Sequence, residues 1–281
     1  LHPRVRRQRQ MCIRDRFISR VQSATKGNVL LRKRQYQLSD DESWSLHVAR
    51  LMIGGKIQNY RNILKRYIRD YGENENINRA VQVLEHAKRE ALATQDKTTL
   101  IGYEGMASNA YFEVLPVLIL NQKADFPFHG RNRRPPKDAV NAMLSFAYTL
   151  IANDTSAALE TVGLDPYVGF LHTLRPGRTS LALDMMEELR AYLGDRFVLS
   201  LINKRQITSK DFLFQGDNGV VMTDKGKKTF ISAWQARKRE VIIHPYLNEK
   251  IEIGLLPYAQ AMLMARYIRQ DIDNYPVFLI K

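Results

Sequence analysis

Apolar residues recur at every third or fourth position along most of the chain, a spacing that predicts helices. Ser39-Asp40-Asp41-Glu42 spells a capping box. Behind it Trp44, Val48, Leu51, Met52, Ile57, Tyr60, Leu64, Tyr67 and Ile68 trace one helix ending at Gly72, kinked or split at Gly54-Gly55. A second helix covers 77–93. Leu100, Tyr103, Glu104, Ala107, Tyr111, Val114, Leu115 and Leu118 then form a single stripe. Further helices are expected over 137–153 after Pro135-Pro136, over 156–162 before Gly163, and from a Thr179 or Ser180 cap to Glu188. The last two are expected over 225–240 and 255–271. Four short runs read as strands instead. Residues 17–21 and 29–33 flank Lys26-Gly27-Asn28, and 212–214 and 220–222 flank Gly216-Asp217-Asn218-Gly219, each a hairpin spelling. Residues 275–278 read as an extended tail.

The expected fold is therefore mainly α: a helical domain over 38–281 with a small β-hairpin insertion. Two strands alone are marginally stable, so 17–37 is expected to be the remnant of an N-terminal β-rich domain. Residues 1–16 show no usable periodicity and read as an unassigned tail, a cloning or assembly scar.

Charge changes this picture. The chain of 281 residues carries 43 Lys and Arg against 29 Asp and Glu, and 17 of those cations against 5 acids lie in residues 1–70. A basic excess of this kind suits a polyanion, nucleic acid before membrane, although a basic tail also solvates well by itself. No apolar run of about 18 residues needed for a membrane span is present. The single cysteine, Cys12, excludes a disulfide framework and a thiolate zinc site, and the chain reads as intracellular. Motifs for nucleotide-phosphate loops, dinucleotide binding, zinc peptidases and serine hydrolases are missing.

Candidate chemistry gathers around Gly169-Phe170-Leu171-His172 and the helix Leu181 to Glu188. Asp184 and Glu187 are three apart on that helix and share a face, within a Leu, Ala and Met run that should meet a core. Buried ionised carboxylates need a partner, so a cation or a metal is expected there. Glu104 likewise sits on its apolar stripe, beside Gly105, where a missing side chain would let another group approach. It serves either as a ligand or as the partner of an arginine. One imidazole and two or three carboxylates suit Mg²⁺ or Mn²⁺. The same residue types also arise as a satisfied structural histidine and a solvated acidic face. Lys56, Arg61, Lys65, Arg66 and Arg69 interleave with Tyr60, Tyr67 and Tyr71, and the loop 126–136 holds Arg133 and Arg134. Both stretches are either solvated surface or contacts to a phosphate backbone.

The run Arg133-Arg134-Pro135-Pro136-Lys137-Asp138-Ala139-Val140-Asn141-Ala142-Met143-Leu144-Ser145-Phe146 resembles the CRISPR-associated integrase/endonuclease of the spacer-acquisition module. So do Gly163-Leu164-Asp165-Pro166-Tyr167-Val168-Gly169-Phe170-Leu171-His172, the helix 180–188 and Asn203-Lys204-Arg205. The likeness runs from about residue 17 to the end, with Gly254-Leu255-Leu256-Pro257 and 275–279 similar to the subtype I-C branch. It implies a metal-dependent DNA endonuclease and integrase that inserts short spacers into an array by 3′-OH transesterification. It implies Glu104, His172 and Glu187 as catalytic metal ligands for Mg²⁺ or Mn²⁺, with Asp184 as an accessory acid. Arg133, Arg134, Arg178, Lys204, Arg205 and Arg237 are the expected DNA contacts. Implied partners are the prespacer duplex, the repeat DNA, a small ferredoxin-like CRISPR-associated protein and a second copy of the chain, in a prokaryotic cytoplasm. Dimerisation would be impaired by the shortened N-terminus. Two other readings stay open: a non-catalytic helical DNA-binding module using Arg133, Arg134, Arg178 and Arg237, and a metal-dependent nuclease for branched repair intermediates.

Overall fold

In a computed structural model the chain is mainly helical; the structure describes residues 10–13, 16–20, 28–132, 134–216 and 219–280. Among the described residues nine α-helices follow in order: α1 (Val29–Asp40), α2 (Glu42–Tyr71), α3 (Glu75–Ala93), α4 (Lys97–Val114), α5 (Ala139–Val162), α6 (Ser180–Leu189), α7 (Arg196–Asn203), α8 (Asp224–Lys238) and α9 (Leu256–Ile268). Three two-stranded antiparallel hairpins accompany them: β1 (Gln10–Ile13) with β2 (Arg16–Arg20), β3 (Phe212–Phe214) with β4 (Val220–Met222), and β5 (Val241–Ile243) with β6 (Lys250–Glu252).

Side chains at the first turns fix most helix starts by accepting from otherwise unbonded backbone N–H groups. Asp41 caps α2 through Trp44 N at 3.0 Å, Asn74 caps α3, Asp96 caps α4 and Asp138 caps α5. The cap of α2 is thus Asp41, two residues beyond the expected Ser39, whose hydroxyl instead donates to Tyr36 O. The thirty-residue α2 runs unbroken through Gly54-Gly55. Those glycines are packing contacts rather than a kink. A Cβ on Gly54 would meet Leu92 of α3 at 2.8 Å, and one on Gly55 would meet Val277 of the tail at 3.2 Å. The helices expected at 137–153 and 156–162 are one, α5, which continues through Asn153-Asp154 to its left-handed cap Gly163.

The expected N-terminal hairpin is displaced. Residues 29–33 are the first turns of α1, because Leu31, Gln35 and Leu38 bury one helical face. The strand 16–20 pairs instead with 10–13, inside the stretch assigned to a tail. The proposed turn at Lys26-Gly27, residues 1–9 and the turn residues Asp217 and Asn218 lie outside the described residues. The hairpin of β3 and β4 forms as expected, and β5 with β6 is an addition the sequence did not announce.

The larger core cluster joins α2, α3, α4 and α5 to the chain beyond α6, and the smaller one joins α1, α2, α6 and α9. Along α2 the C-terminal tail is threaded as a buried strap: Asn59 donates to Phe278 O and accepts from Ile280 N, while Asn62 donates to Ile280 O. No helix among the described residues is long and apolar enough to cross a membrane.

Candidate active site

The loop carrying His172 is built from backbone polarity. Gln35 of α1, fully buried, receives Asp165 N and donates to Asp165 O and Val168 O. Ser45 of α2 donates to Phe170 O at 2.9 Å. Asp184, 0% exposed, accepts from the amides of Phe170, Leu171 and His172 at 2.6, 2.9 and 3.0 Å. Its Oδ1 also takes the His172 Nδ1 proton at 2.5 Å. Both oxygens are thereby filled. The positive partner expected for Asp184 is a ring of N–H groups, and its work is to hold the loop and the imidazole rather than to offer a lone pair to an ion. Gly169 makes this possible, since a Cβ there would stand 2.5 Å from Asp184 Oδ2. With Nδ1 committed to Asp184, His172 presents Nε2 as its free ligand atom, the usual arrangement behind a metal-bound histidine. Of the two residues expected to cap α6, Thr179 makes no side-chain cap bond, and Ser180 Oγ donates to Thr173 O.

Glu187 points elsewhere. Its Oε1 meets Arg190 Nη2 at 2.9 Å and its Oε2 lies 2.7 Å from Lys56 Nζ, off the angle of a hydrogen bond. Burial alone would raise this carboxyl, but Arg190, then Lys56 and His172, hold it down at about 2. Glu104 reaches the same ammonium with Oε1, which also accepts from Ser108 at 2.8 Å. Carboxylates from α4 and α6 therefore converge on one cation supplied by α2. Glu104 does have a basic partner, but a lysine rather than an arginine. The space beside Gly105 holds no approaching group.

Lys56 differs from its expected place: the sequence groups it with the basic face of α2, yet it is 1% exposed. Met52, Lys56 and Tyr60 are four apart on one buried stripe, and that spacing was the available signal. Around it Tyr60 stacks on Tyr111 with centroids 3.9 Å apart. Arg190 lies 5.0 Å over the Tyr148 ring, and Tyr148 donates to Asp195 at 2.6 Å. Arg190 and Asp195 bound a π-helical turn between α6 and α7, which turns both inward. Burial raises Asp195 to about 6 against the pull of Tyr148 and Arg190.

The expected DNA contacts are only partly gathered. Lys204 and Arg237 line one groove of about 530 Å³ between α2, α7 and α8, with Arg66 and Arg196. Arg237 is held over the Tyr192 ring and pairs with Glu240. Arg205 is exposed after α7, and Arg178 stands half-buried on the His172 loop. Arg134 is exposed on the loop before α5, whose base is knotted by Asn141 accepting from Arg131 and from Asn132 N. Arg133 lies outside the described residues. The basic and aromatic face expected on α2 is reduced to its C-terminal end: Tyr60 is buried, Arg61 pairs with Glu85 at 2.6 Å, and Arg66 and Arg69 share Asp70.

Among the described residues no three His, Cys, Asp or Glu side chains close on one point; two carboxylates do, around Lys56. The donor chemistry suits a divalent ion: two carboxylates on one cation and an imidazole anchored through Nδ1.

With this geometry in place, comparison with known proteins is specific. The family model described as CRISPR associated protein Cas1 matches residues 11–236. A relative from Chlorobaculum tepidum, CRISPR-associated endonuclease Cas1 1, is 49% identical over 267 residues, covering 94% of this chain and 78% of the relative. One from Leptospira interrogans, CRISPR-associated endonuclease Cas1, is 43% identical over 255 residues, covering 90% of this chain and 100% of the relative. Among solved structures, a casposase bound to integration product superposes with a TM-score of 0.77 at 21% identity, over 93% of this chain and 74% of that one. A partial Cas6-RT-Cas1–Cas2 complex gives 0.78 at 22%, over 95% and 78%. The chain belongs to the CRISPR-associated Cas1 family.

Proposed function

We propose that this protein is a divalent-metal-dependent DNA endonuclease and integrase whose ion, Mg²⁺ or Mn²⁺, is held by Glu104, Glu187 and His172 Nε2. The observation that carries this reading is the convergence of carboxylates from two helices on a single buried cation, with the imidazole that Asp184 anchors near enough to act on the charge of Glu187. The names of the two relatives described above, both endonucleases, support a nuclease. When bound, the ion would polarise a phosphodiester and stabilise charge on the attacking or leaving oxygen.

The chain's own residues supply the rest. Asp184 fixes the tautomer and angle of His172. Arg190, already on Glu187, keeps that carboxyl ionised at any working pH. In the integrase reaction a DNA 3′-hydroxyl oxygen attacks phosphorus, the P–O bond to the neighbouring nucleotide breaks, and the departing 3′ oxygen takes up a proton. Arg134, Arg178, Lys204, Arg205 and Arg237 would contact DNA phosphates. A second copy of this chain and a small ferredoxin-like protein would complete the assembly; the likeness to a chain from a complex with Cas2 supports that partner.

Turnover of labelled duplex and strand transfer into a repeat-containing plasmid test the reading. Activity should need Mn²⁺ or Mg²⁺, cease in excess EDTA and be abolished in His172→Ala while the fold persists. Equal activity in that variant rejects it. Cleavage of branched DNA without strand transfer would replace the integrase by a repair nuclease.

A further inference from the structure

A lysine that is 1% exposed and in ion-pair contact with two carboxylates is doing the job a metal would do there. The formal charges make the point. Glu104 and Glu187 supply two negative charges, and Lys56 and Arg190 already match them with two positive ones. A divalent cation arriving there must separate an existing pair to reach Glu104 Oε1 or Glu187 Oε2. Lys56 has little freedom to withdraw through its backbone. The Gly54-Gly55 step before it is clamped by Leu92 on one side and Val277 on the other. Its side chain must therefore move by rotamer change, and the ammonium needs a new anion when it leaves, because an unpaired buried charge is expensive. Among the described residues, the carboxylates within its ion-pair reach are the two it already holds.

We propose that Lys56 is an internal competitor for the metal: it keeps the ion's affinity low in free protein and releases Glu104 and Glu187 when a DNA phosphate accepts its ammonium. Metal and DNA thereby bind with positive coupling. This rests on the proposed metal site and adds its regulation. Lys56 acts through the two acids, so it is a positioning residue.

The test is a Mn²⁺ titration of the whole chain followed by electron paramagnetic resonance of the free ion. It is run with and without a duplex carrying non-hydrolysable phosphorothioate linkages, for wild type, Lys56→Met and Lys56→Arg. Wild type should bind Mn²⁺ about tenfold more tightly with DNA than without it, within the usual range of coupling between two ligands. Lys56→Met should bind Mn²⁺ about tenfold more tightly than wild type when DNA is absent and should lose most of the DNA enhancement. Lys56→Arg, which keeps the charge, should stay weak without DNA. If Lys56→Met does not fold, the wild-type coupling and Lys56→Arg still decide. Absence of DNA enhancement in wild type, or unchanged affinity in a folded Lys56→Met, overturns the inference while leaving a metal-dependent nuclease intact. Failure of every form to bind Mn²⁺, with or without DNA, overturns both.

Discussion

Glu187 and Glu188 stand side by side on α6, both within 3% of full burial, and the helix turns them into opposite surroundings. Glu187 faces Lys56 and Arg190 and is held at about 2. Among the described residues no cation meets Glu188. Its oxygens accept from Gln260 Nε2 at 2.9 Å, from the Tyr275 hydroxyl at 2.5 Å and from Phe278 N at 2.6 Å. Burial outweighs those bonds and lifts it to about 7. Behind Gln260 stands His244. Its Nδ1 accepts from the amides of Tyr246 and Leu247, which places the proton on Nε2 to donate to Gln260 Oε1 at 3.0 Å. One carboxyl is thus part of a charged cluster suited to ion exchange. The other is the anchor of a dipolar network that fastens the tail 275–280 to α2. Burial alone does not decide what a glutamate does; the sign of what faces it does.

The comparison can be broken most severely at Glu187. Glu187→Gln should keep the fold but cut metal-dependent DNA turnover by about 10³-fold, since a neutral amide neither holds the ion nor balances Arg190; initial rates at saturating Mn²⁺ measure it. Next in size is Glu188→Ala, expected to cost about 3 kcal/mol of stability by stranding three donors and opening a cavity. Denaturant unfolding should show the loss, with 275–280 becoming protease-sensitive. Gly169→Ala should cost roughly 1–3 kcal/mol by forcing the His172 loop away from Asp184, seen in the same unfolding curves and in weaker Mn²⁺ binding. Asp184→Asn should leave His172 present but misoriented, with about 10–100-fold lower turnover.

A further break is by pH. Glu188 and Asp195 titrate at about 7 and about 6 in the fold, against 4.5 and 3.8 ordinarily. The folded state therefore binds more protons than the unfolded chain, and stability falls as pH rises from about 4 through about 7. Glu187 has the opposite sign: its contribution is complete above 4.5 and is lost as pH falls towards about 2. Unfolding free energies between pH 5 and pH 8 should decline by about 4 kcal/mol in wild type and by about 1–2 kcal/mol in Glu188→Gln, where Asp195 still titrates. An identical slope in both would show that Glu188 is ionised throughout.

Much of the frame was legible from local pattern. The stripe from Leu100 to Leu118, the helix after Pro136 and the hairpin at 212–222 all depend on neighbours a few residues away. The misreadings also have local causes. Val29-Leu30-Leu31 is too short an apolar run to separate strand from helix, and only the burial of Gln35 and Leu38 resolves it. Gly54-Gly55 looks like a break until α3 and the tail are seen packed against it.

By itself the sequence determined where helices form and which acids and imidazole sit on apolar faces, because periodicity is a property of a single element. Tertiary structure alone decided the partners. Asp184 was given backbone amides, Glu187 and Glu104 the ammonium of Lys56, and Glu188 a tail from ninety residues further on. The cost of burying a charge depends on the element that comes to face it, and that element is distant in the chain.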